Sequence, residues 1–228
     1  MPNSKDRLVK NLIDDGFLKT PLIVSAFHVI DRKDFVPGNL KDEAYVNEPL
    51  PIGFGQTISQ PLTVAFMLEL LQPRPGEKIL DIGSGSGWQT ALLAYCVGNV
   101  EIENGVLGIE AKKKNLGKSG KVIAIERLPE LKTMTEENVG RYGFIKEGIS
   151  LVVLGDGSRG YEQEAPFDKI IAAASGDEIP KEWKEQVRVG GRIVAPVGNS
   201  IFSLKKISGD TFDISEHVGF NFVPLIKG

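Results

Sequence analysis

The sequence predicts an α/β fold with a doubly wound, mostly parallel sheet and antiparallel strands at its C-terminal edge. From residue 78 onward, short apolar strands alternate with helical segments, which is the pattern of parallel strands covered by helices on both faces. A glycine-rich turn follows the first of these strands, at the edge where open α/β sheets bind ligands. Residues 201–206 and 212–224 instead have the pattern of antiparallel strands around the turn Ser208-Gly209-Asp210.

Helices are predicted before the sheet begins. Ser4 is placed to cap a helix that Asp15-Gly16 ends, and further helices are expected over 21–30 and 62–71. Prolines and glycines punctuate residues 36–61, but the apolar anchors among them favour an ordered functional loop over a flexible linker. The predicted parallel strands are 78–82, 121–125, 150–154, 169–173 and 192–196, and a helix is expected over 90–97.

The composition is that of an ordinary globular protein. Of the 228 residues, 41% are hydrophobic and 25% are charged, and the formal net charge of −3 predicts no general attraction to nucleic acid or to an anionic membrane. Cys96 is the only cysteine, which excludes an intrachain disulfide and a cysteine-built metal site and favours a reducing compartment. The sequence has no signal-like or membrane-spanning apolar run, so we expect the protein to be cytoplasmic. We also expect a monomer that binds no metal.

The turn after the first parallel strand has the composition of a nucleotide-binding loop. It reads Gly83-Ser84-Gly85-Ser86-Gly87 and lies between the strand that carries Asp81 and an apolar helix. Glycine lets the backbone turn tightly and approach a ligand at the positive end of a helix dipole. The G-x-G-x-G spacing differs from the G-x-G-x-x-G that seats a dinucleotide pyrophosphate, which favours a nucleotide-like ligand other than NAD. A tight turn without a ligand is the alternative.

Two further acids are predicted at the same edge of the sheet. A carboxylate at the end of the second parallel strand is expected to bind the ribose of such a ligand. Glu126 ends that strand, whereas Glu101 and Glu103 lie nearer the usual distance but follow no continuous apolar strand, so we favour Glu126. The third strand ends at Asp156-Gly157.

Residues 99–120 are interpreted as an insertion between the first helix of the core and the second strand. The segment is rich in glycine, lysine and asparagine, and surface loops lengthen at small entropic cost. Its run Lys112-Lys113-Lys114 is expected to be a solvated loop, with a nucleic-acid patch as the less favoured interpretation. The chain, 1–228, is expected to form one domain, with N-terminal helices and the functional loop over 1–75 and the ligand-binding core over 76–228.

The glycine turn, Glu126 and Asp156-Gly157 together resemble the class I AdoMet-dependent methyltransferases. This resemblance implies a Rossmann-like methyltransferase fold, with S-adenosyl-L-methionine (AdoMet) as methyl donor and S-adenosyl-L-homocysteine as product. A more specific match is the upstream segment Ala44-Tyr45-Val46-Asn47-Glu48-Pro49-Leu50-Pro51-Ile52-Gly53-Phe54-Gly55-Gln56-Thr57-Ile58-Ser59-Gln60-Pro61, which is similar to the signature of the protein-L-isoaspartate O-methyltransferases. Agreement extends to Ala165-Pro166-Phe167-Asp168 and Phe222-Val223-Pro224-Leu225, and it covers nearly the whole chain outside the insertion.

The resemblance implies an enzyme that methylates the free α-carboxylate of L-isoaspartyl residues in damaged proteins or peptides. The ester then favours collapse to a succinimide, whose hydrolysis returns some normal aspartate. A carboxylate is ionised at cytoplasmic pH, so no strong general base is needed, which suits a sequence whose two histidines, His28 and His217, lie outside the motifs. The alternatives are an AdoMet-dependent methyltransferase for another carboxylate, a small molecule or RNA, and a non-catalytic module that binds AdoMet or damaged peptides.

The resemblance also assigns roles to individual residues. Ser59 is expected to touch the reacting carboxylate as the catalytic residue, although Thr57 or Ser59 capping the following helix is an alternative compatible with catalysis. Asp81 is expected to face the methionine ammonium or to accept from loop amides, and Asp156 to accept from the adenine amine. Trp88 stands where the family commonly has tyrosine. The expected cofactor-binding residues are Gln56, Thr57, Ile58, Asp81, Gly83, Ser84, Gly85, Glu126, Asp156 and Gly157, and the expected substrate-binding residues are Ile52, Thr57 and Ser59.

Overall fold

The computed structural model describes residues 4–98, 100–105, 108–113 and 119–226, with side chains described outside 99–118. Its helices are α1 (Lys5–Asp14), α2 (Pro21–Val29), α3 (Pro61–Leu71), α4 (Trp88–Val97), α5 (Pro129–Gly140) and α6 (Lys181–Gln186). Its strands are β1 (Leu50–Gly53), β2 (Gln56–Ile58), β3 (Lys78–Ile82), β4 (Val100–Gly105), β5 (Gly108–Lys113), β6 (Lys121–Glu126), β7 (Ser150–Leu154), β8 (Phe167–Ala172), β9 (Val187–Val197), β10 (Ser200–Ser208) and β11 (Thr211–Val218). Each helix and strand predicted from the sequence is present, although several bounds differ.

A seven-stranded sheet forms the centre of the fold, in the order β11-β10-β9-β8-β3-β6-β7. The five strands from β7 to β9 in this order are parallel, while β10 pairs antiparallel with both β9 and β11. The carboxyl end of β3 lies between those of β6 and β8, because Ile82 is opposite Ile125 on one side and Ala172 on the other. The predicted doubly wound, mostly parallel sheet with antiparallel C-terminal strands is confirmed.

Apolar clusters cover both faces of this sheet, as a doubly wound fold requires. Ile79 of β3 belongs to the cluster that also holds buried side chains of α1 to α5. Leu80 and Ile82 belong to a second cluster, together with Trp183 of α6. Successive side chains of a strand point to opposite faces, so Asp81 shares the face of Ile79 and points toward the helices that follow the glycine turn.

The N-terminal region is ordered by specific caps and turns. Ser4 Oγ accepts a hydrogen bond from the backbone N–H of Arg7 at 3.3 Å, as expected of the residue that caps α1. The segment 36–61 contains a 3₁₀ turn over Gly38–Glu43 and the antiparallel hairpin β1–β2. It is therefore an ordered loop, as predicted, with a hairpin that the sequence analysis did not foresee.

The segment interpreted as a solvated loop is largely a β-hairpin, so that interpretation is wrong where the structure describes the segment. β4 pairs antiparallel with β5 from Val100 opposite Lys113 to Gly105 opposite Gly108, and the two form a sheet of their own. Lys112 and Lys113 therefore belong to a strand, while Lys114 lies outside the described residues. The sequence signal was available, because apolar and acidic residues alternate over 100–103 as strand residues do.

The predicted C-terminal strand ends earlier than expected. β11 stops at Val218, and the chain continues to Ile226 without a further strand. Gly219, whose φ of +100° suits glycine, directly follows β11, and the N–H groups of Gly219 and Phe220 both donate to the carbonyl of Asn199. Residues 219–226, the C-terminal tail, thereby leave the sheet and line the cavity described below. Within the described ranges, no helix is long and apolar enough to cross a membrane.

Candidate active site

A cavity of about 520 Å³ lies at the carboxyl ends of β3 and β6. Its wall is made by the glycine turn, the end of β6, the segment around β2, the start of α3 and the C-terminal tail. The volume is typical of a small-molecule site, for which about 300–1,000 Å³ is usual. Of the predicted site residues, Gln56, Thr57, Ile58, Ser59, Gly83, Ser84, Gly85, Glu126 and Gly157 line the cavity, whereas Ile52, Asp81 and Asp156 do not.

The glycine turn is held from both sides by its neighbours. The N–H groups of Gly83 and Ser84 donate to the carbonyl of Ile125 at 2.9 and 3.2 Å. On the other side, Thr135 Oγ1 of α5 donates to the carbonyl of Gly85 at 3.0 Å. Gly87 has φ +90°, and a Cβ there would lie 3.0–3.2 Å from atoms of Val139 and Thr135. Only glycine fits this position, both by conformation and by space.

Glu126 anchors the end of β6 to the same turn. Its side chain is buried, and Oε2 accepts from the N–H of Gly85 at 3.0 Å. Oε1 accepts from the N–H groups of Arg127 at 2.8 Å and Leu128 at 3.1 Å. A carboxylate has about four lone-pair positions, so Oε2 retains capacity for a further donor from the cavity.

Asp81 lies in the protein interior, away from the cavity lining. It is 0% exposed; its Oδ1 accepts from Gln89 Nε2 at 2.8 Å and its Oδ2 from Thr90 Oγ1 at 2.6 Å, both on α4. Burial raises the pKa of this carboxyl to about 6. The two hydrogen bonds lower the pKa, but their effect is smaller than that of burial. Gln89 itself lines the cavity, so Asp81 reaches the site through the side chain that it orients.

Asp156 and Ile52 also lie next to the cavity lining. Asp156 Oδ1 accepts from the N–H of Ser158 at 2.9 Å, which begins a 3₁₀ turn. The residues on either side of it, Gly155 and Gly157, line the cavity. Ile52 is 2% exposed and lies against the glycine turn. A Cβ added to Gly85 would be 3.4 Å from Ile52 Cδ1.

The loop after β2 brings Ser59 to the cavity. Among the described residues, the Ser59 hydroxyl has no hydrogen-bond partner, while its backbone carbonyl accepts from Arg32. Neither Thr57 nor Ser59 caps the following helix, so the capping alternative is wrong: α3 is preceded by Gln60, which makes no side-chain cap. The cap comes from earlier in the chain, since the side-chain oxygen of Asn47 accepts from the N–H of Leu62 at 2.9 Å.

The C-terminal tail is the wall that the sequence analysis missed. Residues 219–226 all line the cavity, and they are mostly apolar. The tail is fastened by Ser175, whose N–H donates to the carbonyl of Val223 at 2.8 Å and whose carbonyl accepts from Leu225 at 2.7 Å. Phe220 stacks on Phe66 of α3, with ring centroids 5.2 Å apart. The sequence predicts strand up to residue 224, which is wrong beyond Val218, where the apolar residues line the cavity instead.

Three further lining residues were not predicted as site residues. Trp88 is 3% exposed, and its indole N–H has no partner among the described residues. Gln89 is held by Asp81, and Arg127 is an exposed cation at the mouth. The signal for Trp88 was its departure from the tyrosine common at this position. Neither histidine lines the cavity.

The polar groups of the cavity suit AdoMet. Glycine backbone lines it, Glu126 has capacity for a further donor, and the Ser59 hydroxyl has no partner in the described part of the chain. These groups match a ligand that carries ribose hydroxyls and a carboxylate. The sheet order, the glycine turn and the acid at the end of β6 define a Rossmann-like, AdoMet-dependent methyltransferase.

Comparison with known proteins identifies the family of methyltransferases to which the chain belongs. Residues 3–228 match the family model of protein-L-isoaspartate(D-aspartate) O-methyltransferase. A protein-L-isoaspartate O-methyltransferase of Staphylothermus marinus is 37% identical over 228 residues, which cover 98% of this chain and 94% of that protein. A second relative with this name, from Archaeoglobus fulgidus, is 43% identical over 197 residues, covering 86% of this chain and 80% of that protein. The chain belongs to the protein-L-isoaspartate(D-aspartate) O-methyltransferase family.

Solved structures share the fold over the same length. A Plasmodium falciparum structure described as a protein-L-isoaspartate O-methyltransferase in complex with S-adenosyl-L-homocysteine has a TM-score of 0.80 at 24% identity, with 100% of both chains covered. Another protein-L-isoaspartate O-methyltransferase has a TM-score of 0.81 at 24% identity, covering 99% of this chain and 66% of that one. At this level of identity, the two structures support the fold.

Proposed function

We propose that this chain transfers the methyl group of AdoMet to the free α-carboxylate of L-isoaspartyl residues in damaged proteins or peptides, which starts their repair to aspartate through a succinimide. Membership of the family makes it a carboxyl methyltransferase that uses AdoMet and acts on isoaspartyl-containing proteins. The observation that carries the proposal is the Ser59 hydroxyl, which has no partner among the described residues and shares one cavity with Glu126 and the glycine turn.

The cofactor side of the cavity is proposed to be the glycine turn and the ends of β6 and β7. Gly83, Ser84 and Gly85 present backbone to the donor, and Glu126 accepts from its ribose through the lone pair left on Oε2. Asp156 does not line the cavity itself but lies between Gly155 and Gly157, which do, and this position supports its proposed role as acceptor for the adenine amine. Asp81 contributes by holding the side-chain amide of Gln89, which supports an indirect role on the methionine side.

The substrate side is proposed to be the segment 56–59. The hydroxyl of Ser59 donates to the reacting carboxylate, while Gln56, Thr57 and Ile58 line the space between substrate and donor. Ile52 supports this wall through its contact with the glycine turn, so its role in substrate binding is indirect.

The chemistry asks the protein mainly for orientation and for exclusion of water. When bound, AdoMet supplies an electrophilic methyl group on a positively charged sulfur. A carboxylate with a pKa near 4 is already ionised at neutral pH, so no side chain needs to remove a proton. Placing the carboxylate oxygen in line can contribute about 7–11 kcal/mol. The apolar tail covers one side of the cavity, which keeps water from a reaction that neutralises charge.

We further propose that the protein works as a cytoplasmic monomer and does not bind nucleic acid. The net charge of −3 supports the last point, because phosphate binding needs a basic surface. Size-exclusion chromatography with light scattering tests whether the protein is a monomer. A mobility-shift assay with RNA at several salt concentrations tests whether it binds nucleic acid.

The decisive experiment compares two peptides that differ only in isoaspartate or aspartate at one position. With methyl-labelled AdoMet, we expect base-labile label on the isoaspartyl peptide alone. Equal labelling of both peptides would favour a methyltransferase for another carboxylate. Absence of label, with S-adenosyl-L-homocysteine still bound in a calorimeter, would favour the non-catalytic module.

The role of Ser59 is tested by Ser59→Ala. A hydrogen bond to a charged group contributes about 1.5–3 kcal/mol, so kcat/KM for the isoaspartyl peptide should fall about 10- to 100-fold without vanishing. Ser208→Ala is the matched control, because Ser208 is an exposed serine at the end of β10 and does not line the cavity. Unchanged turnover and peptide affinity in Ser59→Ala would remove Ser59 from the mechanism.

A further inference from the structure

Arg32 is a buried cation that binds only backbone carbonyls. It follows α2, is 2% exposed and does not line the cavity. Its Nη1 donates to the carbonyls of Ala44 at 2.8 Å and Val46 at 3.2 Å. Its Nη2 donates to the carbonyls of Glu48 at 2.9 Å and Ser59 at 3.0 Å. One planar group thus binds both ends of the segment that contains the hairpin β1–β2.

Arg32 has no carboxylate partner, and its buried Nε has no acceptor among the described residues. No acidic side chain of the described residues forms an ion pair with it, and its guanidinium carbon lies 5.4 Å from the ring centroid of Trp88. Burial lowers the pKa of Arg32 to about 10, so it remains charged at neutral pH. An apolar side chain would fill this space with no desolvation penalty, but it would leave four carbonyls without their donor.

We propose that Arg32 is a positioning residue for methyl transfer: it closes the base of the 44–59 loop and thereby sets the Ser59 hydroxyl opposite the glycine turn. The hairpin inside this loop pairs strands of four and three residues outside the main sheet, and an isolated two-stranded hairpin is marginal in water. The contact with Trp88 fixes the loop against the first residue of α4, which directly follows the glycine turn. This inference rests on the proposed role of Ser59.

A double-mutant cycle tests the proposal. Arg32→Gln, Arg32→Lys, Ser59→Ala and Arg32→Gln combined with Ser59→Ala are compared for kcat and KM on the isoaspartyl peptide. Arg32→Gln should lower kcat/KM about tenfold or more, and Arg32→Lys should restore part of the loss, because lysine keeps the charge but lacks the planar fork. If Arg32 acts through Ser59, the double variant should lose no more than about twofold beyond the worse single variant.

Two measurements separate positioning from simple stabilisation. S-adenosyl-L-homocysteine affinity, measured by calorimetry, should stay within about threefold of wild type, because the proposed cofactor side is the glycine turn and Glu126, whereas Arg32 holds the segment on the substrate side. Backbone amides of 44–60 should exchange faster with solvent in Arg32→Gln than in wild type. Arg141→Gln is the matched control, since Arg141 is exposed and donates to a single carbonyl, that of Asp34. It should leave kcat/KM unchanged.

The outcomes are distinct. Multiplicative losses in the double variant, or a lowered unfolding midpoint with unchanged kcat/KM, would overturn the proposal while the function of the enzyme stands. If Arg32→Gln does not fold, the cycle is run with Arg32→Lys, and the same criteria apply. Wild-type turnover in Ser59→Ala would overturn the roles of both residues, whereas a wild-type protein that labels neither peptide would overturn the proposed function itself.

Discussion

Asp81 is expected to make the stability of this protein fall as pH rises from about 4 to about 6. Its carboxyl is completely buried, and burial raises its pKa from 3.8 to about 6. In the pH range between these values, the folded protein holds a proton that the unfolded chain has released. Stability from this group is therefore fully present below pH 4 and is lost as pH rises through 6.

The size of the effect follows from the shift in pKa. At about 1.4 kcal/mol per unit, a rise from 3.8 to about 6 corresponds to about 3 kcal/mol of stability lost at neutral pH. Asp81→Asn cannot ionise and so removes this dependence. The asparagine must still satisfy the donors on Gln89 and Thr90, but any penalty for that rearrangement is independent of pH.

Urea unfolding at pH 4, 5, 6 and 7 measures the effect directly. The free energy of unfolding of Asp81→Asn, relative to wild type, should rise by about 2.4 kcal/mol between pH 4 and pH 7, because about 0.5 kcal/mol is already lost at pH 4. Asp42→Asn, an exposed aspartate, provides the matched control for loss of one carboxylate. A difference between Asp81→Asn and wild type that is the same at every pH would refute the reasoning, because the buried carboxyl would then not titrate in this range.

Two further substitutions test cofactor binding by Glu126 and the fit of the glycine turn. Glu126→Gln replaces an oxygen beside the N–H of Gly85 with a second donor. Calorimetry should therefore give at least about tenfold weaker S-adenosyl-L-homocysteine binding, while the peptide KM changes less than about threefold. Equal affinity for S-adenosyl-L-homocysteine would contradict the role of Glu126 in cofactor binding. Gly87→Ala adds a Cβ 3.0–3.2 Å from Val139 and Thr135 at φ +90°, and should lower the free energy of unfolding by about 2 kcal/mol. Gly140→Ala, with open space around its Cβ, should be neutral or stabilising in the same urea assay.

Local sequence patterns were sufficient for the elements that carry the sheet. Strands buried on both faces are continuous apolar runs, and the sequence predicts β3 and β6 within a residue of their bounds for that reason. The same reasoning favoured Glu126 over nearer acids, since it depended on the end of a strand and not on a residue count. Ile82 and Ile125 are opposite each other in the sheet, which places Glu126 one residue beyond the end of β3.

Strand alternation also indicates which way Asp81 points. In a sheet covered on both faces, a residue one place before the last apolar position is buried under a helix layer and does not extend from the edge. Asp81 shares the face of Ile79, and its partners Gln89 and Thr90 belong to the first turn of α4. Asp81 therefore contacts α4 and does not line the cavity.

The walls of the cavity come from segments far apart in the sequence, and backbone groups hold them in place. Arg32 binds four carbonyls of 44–59, Ser175 binds the tail through its own N–H and carbonyl, and the carbonyl of Ile125 holds the glycine turn. A backbone group has the same chemistry whatever side chain it carries, so such contacts leave no pattern in the residues that accept them. Motifs therefore predict Ser59 and Glu126, which line the cavity, but not Arg32, whose contacts are to carbonyls that any sequence would supply.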